Sequence, residues 1–176
     1  EESILQYWKE NKTFEKSVES RPAENPYRFY DGPPFITGTP HYGSLLSSII
    51  KDVVPRYQTM LGKRVERVWG WDCHGLPIEQ KVQKKLGLES NKEIEESAGG
   101  IQGFIDECYA YTRDTSAEWS WYIDHIGRWV DMTGAYRTMD QNYMESVMWV
   151  FKQIWEKGYI YEGKRVSWYS WKLSTP

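Results

Sequence analysis

The chain has 176 residues, 40% of them hydrophobic and 27% charged, a balance that fits a folded core and excludes a disordered segment. No apolar run reaches bilayer length, no signal peptide leads the chain, and a net charge of −3 excludes nucleic-acid binding by bulk charge alone, though not by a local basic patch. Cys73 and Cys108 form no CxxC pair, which speaks against zinc and a disulfide framework and for a reducing, cytoplasmic setting.

Taken in chain order, Ile4, Leu5, Trp8 and Phe14 recur at near-helical spacing and predict a short amphipathic helix over 3–17. "YRFYD", 27–31, alternates and is aromatic, as a strand would be. After a block of glycine and proline, "SLLSSIIKDVVPRYQTML" predicts a mostly buried helix, with Pro55 a kink or a break in it because proline has no N–H to donate. "RVERVWGW", 64–71, predicts a second strand. Strand, loop, helix and strand in that order make a βαβ unit, so the pairing should be parallel. "LPIEQKVQKKLG" is a short helix with Pro77 in its first turn, and the polar connection after it holds a small helix. From Ile101 to about Ile123 runs a long helix, with Phe104, Cys108, Tyr111 and Trp119 along one side. "GRWVDMTGAYRTMD" reads as irregular. Asp140 can then cap a helix carrying Met144, Val147, Met148, Phe151 and Trp155, and "YIYEGKRVSWYS" reads as a hairpin around Glu162-Gly163-Lys164. Both ends lack a closing element, so a fragment is expected. Aromatic residues make up 16% of the chain, and core packing is the first reading of that excess.

Two stretches carry chemistry. "FYDGPPFITGTPHYGSLLSSIIKD", 29–52, sets Gly32, Gly38 and Gly43 among Pro33, Pro34 and Pro40. At the carboxyl end of a strand, where ligands bind in open α/β sheets, the glycines let backbone approach a ligand and the prolines keep the loop stiff. The helix starting near Gly43 offers free N–H groups to an anion, and His41 stands just before it. "GWDCHGLPIE", 70–79, puts Asp72 at the end of the second strand, where a carboxylate can hold an ammonium group. Plainer readings exist for each: a turn, a histidine cap, an aspartate cap. Cys73 and His74 are adjacent but lack the further partners of a metal site.

These stretches, with "GRWVDM", "TMDQNYMESVMWVFKQIWEKGYIYEGKRV" and "YSWKLSTP", resemble the start of the catalytic domain of the isoleucyl-tRNA synthetase family, over nearly the whole chain. The resemblance implies a class I aminoacyl-tRNA synthetase with a Rossmann core. It divides the chain into a helical segment 1–26, a first half of the catalytic domain 27–158, and 159–176 as a hairpin starting the connection to an editing insertion. It implies that His41, Gly43 and Ser44 bind ATP in the class I signature, with His41 and Ser44 catalytic. It gives Gly32 and Pro33 to the amino-acid pocket and Asp72 to the substrate ammonium. ATP and magnesium (Mg2+) are implied, though no protein ligand for the metal is visible, and isoleucine and tRNA(Ile) are the implied partners. Ser44 departs from the pattern, because the family has a second histidine there. The Lys-Met-Ser-Lys-Ser loop and the editing and anticodon-binding domains are absent from these 176 residues. "HIGR", 125–128, imitates the signature but follows a long helix, so it reads as structural. Lys63, Arg64, Arg67, Lys81, Lys84 and Lys85 are basic neighbours in sequence, more often a solvated face than an RNA site. The alternative to a ligase is a nucleotide- or RNA-binding module that keeps the fold without the chemistry.

Overall fold

The computed structural model describes every residue except Ser174, and residues 114–117 by their helical backbone alone. The chain is of mixed α/β class and separates into two units, Glu1–Asp140 and Gln141–Pro176.

In the first unit the order is α1 (Glu2–Asn11), α2 (Thr13–Glu19), α3 (Tyr42–Met60), β1 (Val68–Trp71), α4 (Leu76–Leu86), α5 (Asn91–Glu96), α6 (Gly100–His125) and β2 (Asp131–Arg137). The helix expected over 3–17 is two helices, because Lys12 adopts the left-handed conformation at φ 49°. Trp8 and Phe14, one from each, meet the Trp129 ring at centroid distances of 5.4 and 6.3 Å.

The strand expected at 27–31 is an extended segment rather than a laddered strand. It is tied to the β1 segment at its ends by parallel bridges, Pro26 to Arg64 and Phe35 to Asp72. The parallel sense is that expected of a βαβ unit. Between the bridges the side of this segment is occupied by the Tyr136 hydroxyl and the Arg128 guanidinium, which satisfy Asp31 in place of a ladder.

Helix α3 runs unbroken through Pro55, which is buried. Its burial is the reverse of a hydrophobic expectation. Ser44, Ser48, Pro55 and Thr59 face inward, while Leu46, Ile49 and Val53 are 63%, 48% and 57% exposed. The inward face must be small and hydroxylated because it borders a cavity and, farther along, the buried Arg67, whose Nη2 donates to Thr59 Oγ1 at 2.6 Å. Desolvation by burial lowers the Arg67 pKa to about 10.

Residues expected to be irregular form β2, which pairs in parallel with β1: Val68 with Asp131, Gly70 with Tyr136, Trp71 with Arg137. Between the first two pairs β2 carries the longer stretch and bulges. Asp131 holds the bulge, its carboxylate accepting Thr133 Oγ1 at 2.7 Å and the Thr133 and Gly134 N–H groups at 2.9 and 3.2 Å. Those bonds, the Thr133 hydroxyl first, keep its carboxyl below the ordinary range. A bulge with a central glycine breaks the alternation by which a strand is recognised.

The core gathers Ile36, Trp69, Trp71, Ile78, Val82 and Trp119 between β1, α4 and α6. Trp69, Trp71 and Trp119 touch one another edge to face or tilted, at 5.3 to 6.0 Å. Gly70, between two of these tryptophans, is required by packing: a Cβ there would fall 2.2 Å from Cζ of Tyr136. Gly70→Ala should therefore cost about 1–3 kcal/mol, the usual cost of overpacking. A urea titration checks it, and an unmoved midpoint would show that Tyr136 swings aside freely.

In the second unit α7 (Gln141–Glu156) has the expected bounds but buries none of its residues within the unit. The Asp140 carboxylate, expected to cap it, accepts the Arg137 N–H at 3.0 Å. Residues 159–169 form no ladder, so the hairpin around Glu162-Gly163-Lys164 is absent. Val166 and Trp168 are fully exposed there, and a lone two-stranded hairpin with nothing to pack on is marginal. An antiparallel bridge joins Ser170 and Thr175. The stretch "YSWKLSTP" includes Ser174, which lies outside the described residues.

Candidate active site

Helix α3 begins on His41, whose backbone is extended at φ −131°. The Gly43 N–H donates to His41 Nδ1 at 3.1 Å, and the His41 N–H donates to Ser44 Oγ at 3.3 Å. The first turn is thus capped reciprocally. With Nδ1 accepting, the proton of the neutral ring sits on Nε2, an outward donor on an exposed side chain. A 19-residue helix places its positive dipole end at the same spot.

A cavity of about 360 Å³ opens beside this helix start. Gly32, Pro33, His41, Gly43 and Ser44 all line it. The loop between strand and helix is pinned along its length. The Asp72 N–H donates to the Pro34 carbonyl at 2.9 Å and the Ile36 N–H to the Asp72 carbonyl at 3.0 Å. Trp119 Nε1 donates to the Gly38 carbonyl at 2.9 Å, where φ of +135° requires glycine. The loop's entropy is spent in folding, so a ligand meets a preformed wall.

Asp72 is therefore bonded through its backbone to the proline wall, as the close approach of two parallel segments dictates. Its side chain is half-buried and is not on the wall of this cavity. Among the described residues no hydrogen bond or ion pair engages its carboxylate.

Sequence reasoning missed several residues that the fold brings here. Lys51 and Ser47, from α3, line the cavity with Trp69, Trp119 and Arg128. Lys51 was legible in principle: 44, 47, 48 and 51 fall on one helical face. Arg128 was not, since nothing local marks it. Its guanidinium reaches the buried Asp31 carboxylate at 2.5 Å and lies over Trp69, 4.9 Å from the ring centroid. "HIGR" thus divides. His125 stacks on Trp121 at 4.1 Å at the end of α6, away from the cavity wall, while Arg128 belongs to that wall.

His74 and Cys73 line a second cavity, of about 350 Å³, with Phe104 and Cys108 of α6. Burial pushes both thiols up from their ordinary pKa. Among the described residues, no three His, Cys, Asp or Glu side chains are grouped to hold a metal ion. The basic neighbours do not form one open face: Arg67 is 2% exposed, and Arg64 and Lys85 pair with Glu66 and Glu107 at 3.1 and 3.0 Å.

Residues 3–176 match the family described as tRNA synthetases class I (I, L, M and V). Isoleucine--tRNA ligase 2 of Pseudomonas fluorescens is 52% identical over 94% of this chain, and isoleucine--tRNA ligase of Wolbachia pipientis wMel is 53% identical over all of it. The chain spans about 16% of the length of each. Among solved structures, a LeuRS of Agrobacterium radiobacter K84, in a ternary complex with tRNA and LeuAMS, superposes with a TM-score of 0.61. That match covers 90% of this chain and 17% of the other at 21% identity, a likeness of fold.

Proposed function

The chain belongs to the class I tRNA synthetases (I, L, M and V), and from that premise we propose that its cavity is one half of the site where isoleucine is activated by ATP for transfer to tRNA(Ile). The observation that carries this is the reciprocal cap at α3. It sets His41, Gly43 and Ser44, at the positive end of the helix, on the wall of the same cavity as Gly32 and Pro33.

In this reading the ATP phosphates lie against the α3 N-terminus and the isoleucine side chain against the glycine-proline wall. The carboxylate of Asp72, whose backbone is bonded to that wall, holds the substrate ammonium. The isoleucine carboxylate attacks the α-phosphorus and pyrophosphate leaves. Charge that gathers on the phosphoryl oxygens meets the His41 donor and the helix end, which are already in place. Ser44 Oγ accepts the His41 N–H and leaves its own O–H to donate into the cavity. A histidine here would add reach and charge, so Ser44 makes this a weaker phosphate site than the family signature provides. Magnesium would supply further charge neutralisation on the ATP phosphates. The described residues offer no ligand cluster for it, so no step is assigned to it.

Setting is part of the proposal as well. No described helix is long and apolar enough to cross a membrane, and the proposed reaction belongs to the cytoplasm. The Lys-Met-Ser-Lys-Ser loop and the editing and anticodon-binding domains would lie elsewhere in the protein that carries this chain.

The test is ATP–pyrophosphate exchange in that protein with isoleucine, leucine, methionine and valine compared. Isoleucine should give the highest kcat/KM, and Ser44→His should raise it by about 10²–10³-fold if the position acts as one lost oxyanion-type donor. Exchange driven best by another of the four would redirect the substrate. ATP binding without exchange would leave a nucleotide-binding module.

A further inference from the structure

The first two residues of the cradle are held by more charge than a turn needs. The Asp31 side chain has no solvent exposure, and its two oxygens face Arg128 at 2.5 Å and Lys51 Nζ at 2.8 Å. Lys51 Nζ also donates to the Gly32 carbonyl. Tyr136 Oη donates to the Asp31 carbonyl at 3.1 Å, through the space that Gly70 leaves open. Arg128 alone neutralises Asp31, so Lys51 is surplus as a counter-charge. It is not surplus as a link. Its stem rises from α3, seven residues after Ser44, and its ammonium ends on the carbonyl beside Pro33.

We propose that Lys51 is a positioning residue that fixes the distance between the helix bearing His41 and the wall bearing Gly32 and Pro33. The inference rests on the isoleucine-activating reading for its consequence, though not for its geometry. Lys51 tethers two surfaces that adenylate formation must keep in register: the phosphate side on α3 and the amino-acid side on the loop. Reacting groups displaced by about 1 Å can lose about 10²-fold in rate, so a tether at this point sets how well the carboxylate meets the phosphorus. The side chain is 25% exposed and lines the cavity, so a direct contact with substrate is the rival role.

Two readouts on Lys51→Met, in the protein that carries this chain, separate these. The first is hydrogen–deuterium exchange of a peptide spanning 31–37, whose Ile36 N–H is bonded to Asp72. A tether predicts faster exchange there by about tenfold, with the core of α6 unchanged. The second is the kcat of isoleucine activation, expected to fall about 10–100-fold while the KM values for isoleucine and ATP each move less than about threefold. Lys51→Arg, long enough to span both oxygens, should restore most of each. If Lys51→Met yields too little folded protein, Lys51→Gln replaces it with the same expected directions. Unchanged exchange at 31–37 overturns the proposal whatever the kinetics show, and a raised KM with unchanged exchange assigns Lys51 to direct contact. A parent protein with no isoleucine-dependent activity would sink the functional reading instead, and the exchange measurement would still decide the tether.

Discussion

Replacing His41 by alanine should lower isoleucine-dependent ATP–pyrophosphate exchange by about 10²–10³-fold, the scale of one lost donor to a developing oxyanion. The side chain does two jobs, and they can be separated. Nδ1 accepts the Gly43 N–H at 3.1 Å, so alanine also removes a helix cap, worth about 1 kcal/mol of stability. His41→Asn keeps an acceptor for Gly43 but loses the Nε2–H donor. Both variants should therefore lose activity alike, while only alanine lowers the melting temperature. If asparagine retained full activity, the histidine would be a cap and nothing more.

The second large effect is on folding. Arg128 and Asp31 have side chains 3% and 0% exposed. Removing one partner of such a pair leaves a charge stranded in a low-dielectric interior, at about 3–5 kcal/mol. Arg128→Met should fall at the lower end, because Lys51 still faces the carboxylate at 2.8 Å. Pairing Arg128→Met with Asp31→Leu should recover part of the loss, since the desolvation penalty of both groups disappears together. Urea denaturation of the single and double variants measures this. A double variant no better than the single one would locate the cost in lost packing over Trp69 rather than in the unpaired carboxylate.

What could be read in advance follows the range of the forces involved. The glycine-proline block, the helix start at His41 and the closeness of Asp72 to that block depend on local backbone limits and on a parallel pair of segments, and both leave marks in a short window. The bounds of α4 and α6 follow from periodicity and, in α4, from Pro77 in the first turn. The Asp31–Arg128 pair joins residues 97 apart, and no window contains both. Helix α3 failed differently. Its apolar residues were seen, but hydropathy does not say which face turns inward, and here the hydroxyl face borders the cavity. Strand β2 was hidden by the Asp131 bulge, and the expected hairpin after Gly158 has no surface to pack on in its unit.

The most direct measurement is a crystal structure of the protein that carries this chain with a non-hydrolysable isoleucyl-adenylate analogue. The account predicts the ammonium nitrogen within about 3 Å of the Asp72 carboxylate, the side chain against Gly32 and Pro33, and the phosphate mimic at His41 and the first turn of α3. An analogue seated instead in the second cavity between Cys73 and Cys108, or one whose ammonium leaves Asp72 untouched, would contradict it.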